Sequence, residues 1–249
     1  PAPAHTPITF YLAASLPEPY QIPMAVEVAT ERTEVDEAIV FSTDRPLTIG
    51  IPFIHHLLTA DTAEHSPNVL QDRLSVRWTR QADGHWTGSE QAIFNPIPRS
   101  GNSFYLVLDP EQALAGNVIA LNFEGETATP TGIRPEAPPR KWEAWNGQSW
   151  VSVLMQESDD ETRGFSFYNT GSTSDIQRGE VVLHLPQQLP VTDFASYRGR
   201  WLRCVCIEPV VGVPAYSSSP RLLSVAARSI GGTIDASQCT LIQDELLGE

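Results

Sequence analysis

The chain has 249 residues, with 30 Asp and Glu against 16 Lys and Arg, a formal net charge of -14. No run of Lys or Arg forms a stripe, so the electrostatic footprint of a nucleic-acid partner is missing. Hydrophobic residues at 41% and charged residues at 18% exclude wholesale disorder, and no segment approaches the ~18 uninterrupted apolar residues of a membrane helix.

Residues Pro1 to Pro7 have neither a basic start nor an apolar run, so they do not read as a signal peptide. Ile8, Phe10 and Leu12 then alternate with Thr9 and Tyr11, and Met24, Val26 and Val28 alternate with Ala25 and Glu27. Period two is the pattern of a half-buried strand. Pro19, Pro23, Pro46 and Pro52 interrupt this first stretch, which offers few core partners of its own. The expectation is that residues 1–65 pack on polypeptide outside the fragment, leaving Ile8, Phe10, Leu12, Val26 and Val28 exposed. His55 and His56 are adjacent and should diverge on a strand.

Leu74, Val76 and Trp78 alternate with Ser75 and Arg77, which predicts a strand with all three on one core face. Asp83-Gly84 and Asn146-Gly147 each suit a two-residue type I′ hairpin turn, where both positions need positive φ. The second turn would pair Trp145 with Gln148 and Glu143 with Trp150. Trp145 and Trp150 then share a face, and Trp142 takes the other. Phe104 to Leu108 and Val118 to Phe123 are more continuously apolar and read as central strands. Between them, Asp109 as N-cap, Pro110 as N1 and Gly116 as closing residue permit one helical turn. The carboxylates from Glu157 to Glu161 are consecutive and read as a solvated loop. In Trp201–Ile207, Trp201 should share a core face with Val205 and Ile207, while Cys204 and Cys206 share the other as small apolar fillers.

The chain is therefore expected to be all-β: an antiparallel β-sandwich over 66–228, extra short strands over 1–65, and very little helix. Residues 229–249, beginning Ile230-Gly-Gly-Thr-Ile234, read as the truncated start of a following domain. Both ends look cut. No catalytic residue, metal ligand or cofactor motif is assigned: no pair of the six histidines shows helical i, i+4 spacing with an acid, and no P-loop, nucleophile elbow or dinucleotide loop occurs. The chain is expected not to be an enzyme. The alternative to a structural role is a carbohydrate-binding sandwich module presenting Trp145 and Trp150 as sugar-stacking aromatics.

Several segments resemble the baseplate J-like family of baseplate assembly proteins. These segments are Ile22–Thr30, Ala38–Asp44, Leu47–Ile49, Leu114–Gly116, Gly132–Glu136 and Trp142–Trp150. The similarity resumes at Gly179–Pro186, Gly199–Cys204 and Ser219-Pro220, and the tail Thr240–Gly248 is similar to the family's lead into its next domain. The span from Ser166 to Gln177 is longer than the family pattern and suggests an inserted loop. The resemblance covers nearly the whole sequence in order. It implies a structural wedge component of a contractile phage tail or related injection system, assembled in the cytoplasm into a large particle. The implied partners are other baseplate subunits, sheath or hub proteins, and no catalytic residue is carried over.

Overall fold

The computed structural model describes residues 3–32, 37–126, 131–167 and 176–239. The expected inserted loop lies mostly outside the described residues, and so does the tail from Thr240. Among the described residues strands occupy 47% and helix 1%, so the fold is all-β, as the period-two pattern predicts. In chain order the first strands are β1 (His5–Tyr11), β2 (Tyr20–Ile22), β3 (Glu27–Ala29), β4 (Val40–Thr43), β5 (Leu47–Ile49) and β6 (Ile54–Ala60). There follow β7 (Trp78–Arg80), β8 (Trp86–Ala92), β9 (Ser103–Leu108), β10 (Asn117–Glu126), β11 (Arg140–Trp145) and β12 (Trp150–Ser152). A single 3-10 turn, Glu157–Asp159, precedes β13 (Ile176–His184), β14 (Thr192–Phe194), β15 (Tyr197–Cys206) and β16 (Arg221–Gln238).

Two antiparallel sheets face each other. One has six strands, ordered β12-β11-β15-β9-β6 with β14 beside β15; the other has eight, built on β13-β10-β16-β4-β3 with β1, β8 and β7 attached. Alternate side chains of both sheets meet in the main core. Leu106, Trp142, Leu202 and Cys204 come from the first, and Ile119, Leu121, Phe123, Val181, Leu183 and Leu222 from the second. Cys206 joins them, and its burial pushes the thiol up to about 11. The outer faces differ. On the eight-stranded sheet, Arg178 pairs with Glu124 and Arg228 with Glu180, the polar alternation of a solvated face. On the six-stranded sheet the outer side chains form a second apolar cluster, described below.

β16 organises the rest. Its first half pairs β10 on one side and β8 on the other, and its second half pairs β1 and β4. Gly231 and Gly232 sit where these partners change over. A Cβ at Gly231 would lie 2.2 Å from the Phe10 carbonyl oxygen, and one at Gly232 would lie 2.7 Å from Leu47. Only glycine lets β1 and the β2–β5 pair approach this closely. Ile22, Leu47, Ile49 and Ile234 form a small core there, with Phe10, Leu12 and Val26 packed against it.

The divisions expected at 65/66 and 228/229 both cut through continuous structure. β6 is an edge strand of the sandwich itself, and β16 runs unbroken across residue 228. The five residues expected to be exposed, Ile8 through Val28, are all half-buried. β1 finds its partner in the same chain at the far end of the sequence, from His5 with Ser237 to Tyr11 with Gly231, and Thr9 bonds Thr233 across a separation of 224 positions.

Four local expectations are corrected. Leu74 to Arg77 is a turn rather than a strand, with Trp78 N–H donating to Leu74 O at 2.8 Å. That i, i+4 closure buries Leu74 and Trp78 together and leaves Val76 82% exposed. At Asp83-Gly84, Gln81 N–H donates to His85 O and Gly84 N–H to Gln81 O, giving a three-residue loop with left-handed Gly84 instead of a two-residue turn. At Asn146-Gly147, Asn146 pairs with Ser149, so Gly147 and Gln148 form the tip and Trp145 lies opposite Trp150. Finally, a register shift between Ile54 and His56 makes His55 a bulge, bringing the two imidazoles to 6.1 Å with the rings edge-on. Asp109 caps a simple turn, accepting from Glu111 N–H at 2.7 Å, and no helix follows.

Candidate functional site

Among the described residues, aromatic and charged side chains converge on the outer face of the six-stranded sheet. The β11–β12 pairing sets Trp145 directly across from Trp150, with ring centroids 5.5 Å apart. Phe194 from β14 lies 5.3 Å from Trp145 and 5.1 Å from Trp201, and Tyr105 from β9 lies 5.9 Å from both Trp150 and Trp201. Most of these contacts are edge-to-face, the geometry the ring quadrupole favours. The Arg203 guanidinium sits 4.0 Å from the Trp150 ring centroid and ion-pairs Glu143 at 2.7 Å, while Lys141 holds the other Glu143 oxygen at 2.6 Å. Trp201 therefore faces outward with Val205, away from the main core in which Leu202, Cys204 and Cys206 lie; Ile207 falls beyond the strand end.

Residues 61–73 cover this face. Leaving β6, the segment passes β9, where Asn102 Nδ2 donates to Asp61 O at 3.0 Å. It crosses β15, where Arg203 donates to Glu64 O at 2.9 Å. Over β11 and β12, the His65 ring meets Trp145 edge-on at 4.9 Å and its Nε2 donates to Gln148 O at 2.9 Å. The Trp150 indole donates to His65 O at 2.9 Å. The segment then returns to β6, where Gln71 and Thr59 exchange backbone hydrogen bonds of 2.8 Å. It is a strap laid across the sheet and back.

The two sugar-stacking candidates are thus brought together, but not as an open row. Trp145 is only 6% exposed, between His65, Phe194 and Trp150, and half-buried Trp150 carries Arg203 on its ring. Sequence reasoning missed Tyr105, Phe194, Arg203 and His65. For Arg203 the signal was present: it alternates with Leu202 and Cys204 and so shares the face of Trp201.

The carboxylates from Glu157 to Glu161 are not simply a solvated loop. Asp160 is buried and accepts from Arg140 Nη2 at 2.6 Å and Nε at 3.1 Å, and Glu157 takes the outer side of the same guanidinium at 2.7 Å. Thr162 N–H and Oγ1 donate to the other Asp160 oxygen at 2.9 and 2.5 Å. Burial alone would lower the Arg140 pKa, but the Glu157 hydrogen bonds and the Asp160 charge hold it above its ordinary range. Asp160 also bridges to Val181, so this segment lies along the edge of β13. Elsewhere, His55 faces Asp109 at 3.4 Å beside Arg80 in an open cleft, and no third ligand type joins them. Among the described residues no group of three or more His, Cys, Asp or Glu is placed to hold a metal ion, and no helix is long and apolar enough to cross a membrane.

Comparison with known proteins found no matching family model and no match among curated proteins.

Proposed function

We propose that this chain is a structural component of a contractile tail or phage-tail-like injection system, a baseplate wedge piece that acts by protein–protein assembly. The observation that carries the reading is the use made of buried charge. Among the described residues the four buried charged ones pair two by two, Arg140 with Asp160 and Arg203 with Glu143, each tying a loop or neighbouring strand to the same sheet. That is how a scaffold employs charge. An active site instead leaves a group poised for a reacting atom. The ordered sequence resemblance to baseplate J-like proteins supports that assembly, and Val76, Ile97, Val210 and Val211 supply exposed apolar loop residues of the kind that neighbouring subunits cover. The partners on this reading are other baseplate subunits, sheath or hub proteins.

The test is to purify particles from cells carrying an affinity-tagged chain. The expected result is co-purification with baseplate subunits and location of the tag at the tail end by electron microscopy. A glycan array hit lost on Trp145→Ala or Trp150→Ala, with the unfolding curve unchanged, would replace this reading by the sugar-module one.

A further inference from the structure

The aromatic face and its strap differ in how they are held. Tyr105, Trp145, Phe194 and Trp201 are buried among themselves, whereas the strap contributes one buried residue, Pro67, with Ala63, Leu70, Gln71 and Asp72 half-buried. Val69 points away at 68% exposure. What fixes the strap is polar: the Asn102, Arg203 and Trp150 side chains each donate to one of its carbonyls, and His65 donates back to Gln148. Asn102, Arg203, Trp150 and the Gln148 carbonyl all lie on the sheet or its turns and would keep their places if the strap left. Arg203 would still have Glu143, and Trp150 would still have Trp145, Tyr105 and Phe194. Segments with few apolar contacts and solvent-accessible hydrogen bonds open at lower free energy than the sheet beneath them.

We infer that residues 61–73 form a separately opening cover, hinged at the Thr59–Gln71 pairing, whose release bares Trp145 and Trp150 with the two sheets intact. Nothing in the sandwich has to move. The main core lies on the opposite side of the six-stranded sheet, and the strap reaches none of it except through its end at Leu74.

Indole hydrogen exchange, followed by NMR in heavy water with increasing urea, reads this directly. The Trp150 indole is bonded to the strap at His65 O, while the Trp201 indole is bonded to Thr192 O and the Trp78 indole to Ser89 O. Trp150 is expected to exchange faster than the other two, with little dependence on urea, the mark of an opening that exposes little surface. His65→Ala, which deletes the hydrogen bond to Gln148 and the ring contact with Trp145, should speed Trp150 exchange by about tenfold and leave Trp201 and Trp78 unchanged. Equal free energies and urea slopes for the Trp150 and Trp201 indoles in the wild-type chain would overturn the inference, whatever the variant does.

Discussion

Trp201 and Asp160 are both wholly buried, and each shows what a single side chain holds here. Trp201 fills the outer cluster between Tyr105 and Phe194 and satisfies its indole on Thr192 O. Its replacement by Ala should cost ~3–5 kcal/mol, because the rigid sheet beneath cannot collapse into the space. Urea denaturation of Trp201→Ala checks this; an unchanged midpoint would mean the strap had refilled the site. Asp160→Ala removes the carboxylate between Arg140 and Thr162, leaving a buried guanidinium held by Glu157 alone. A loss of ~3–5 kcal/mol is expected, and the double variant Arg140→Met with Asp160→Leu should recover most of it. At this scale the apolar residues were the readable ones. Cys204 and Cys206 take the buried places that alternation assigns them, and Trp78 is buried as its residue type suggests although the strand expected there is a turn. Asp160 could not be singled out among five consecutive polar residues, since only a guanidinium 20 positions earlier distinguishes it.

At the scale of elements, strands were legible and their junctions were not. Continuous apolar runs such as Phe104–Leu108 became central strands because both faces of that sheet are covered, one by the main core and one by the aromatic cluster. The Asn146-Gly147 turn shifted by one residue because the Asn146 side chain accepts from Gln148 and Ser149 N–H, which caps the tip and sets left-handed φ at Gly147 alone. The strap was invisible in sequence: its anchors are backbone carbonyls, which any residue carries. Gly231 tests the β1 junction. Gly231→Val would drive a side chain into the Phe10 carbonyl, so β1 should detach while the sandwich persists. Limited proteolysis should then cut within residues 1–20, and the main-core tryptophans should keep their wild-type emission. A variant as resistant as wild type would show that β1 can shift aside without leaving.

For the molecule as a whole, two half-buried histidines set the acid limb of stability. Burial lowers His56, helped by the neighbouring His55, and burial lowers His184 against the pull of Asp159, both from an ordinary 6.5. Between the folded and ordinary values the unfolded chain binds more protons, so stability is full above about pH 6.5 and falls as pH drops through the folded pKa values. On the alkaline side Cys206 is held neutral to about 11, so stability declines as pH rises from its ordinary 9.0 toward that value. Thermal melts from pH 5 to 10 should show a plateau between these limbs, and His56→Gln should flatten the acid one. The division of the chain was the least legible feature, since pairing between residues 5–11 and 231–237 leaves no local trace. That pairing also has a mechanical meaning. β16 is gripped by β8 and β10 at one end and by β1 and β4 at the other, through hydrogen bonds perpendicular to its axis. Tension along β16 therefore loads each ladder in shear, many bonds at once, and the strand can carry force from one end of the molecule to the other like a tie rod.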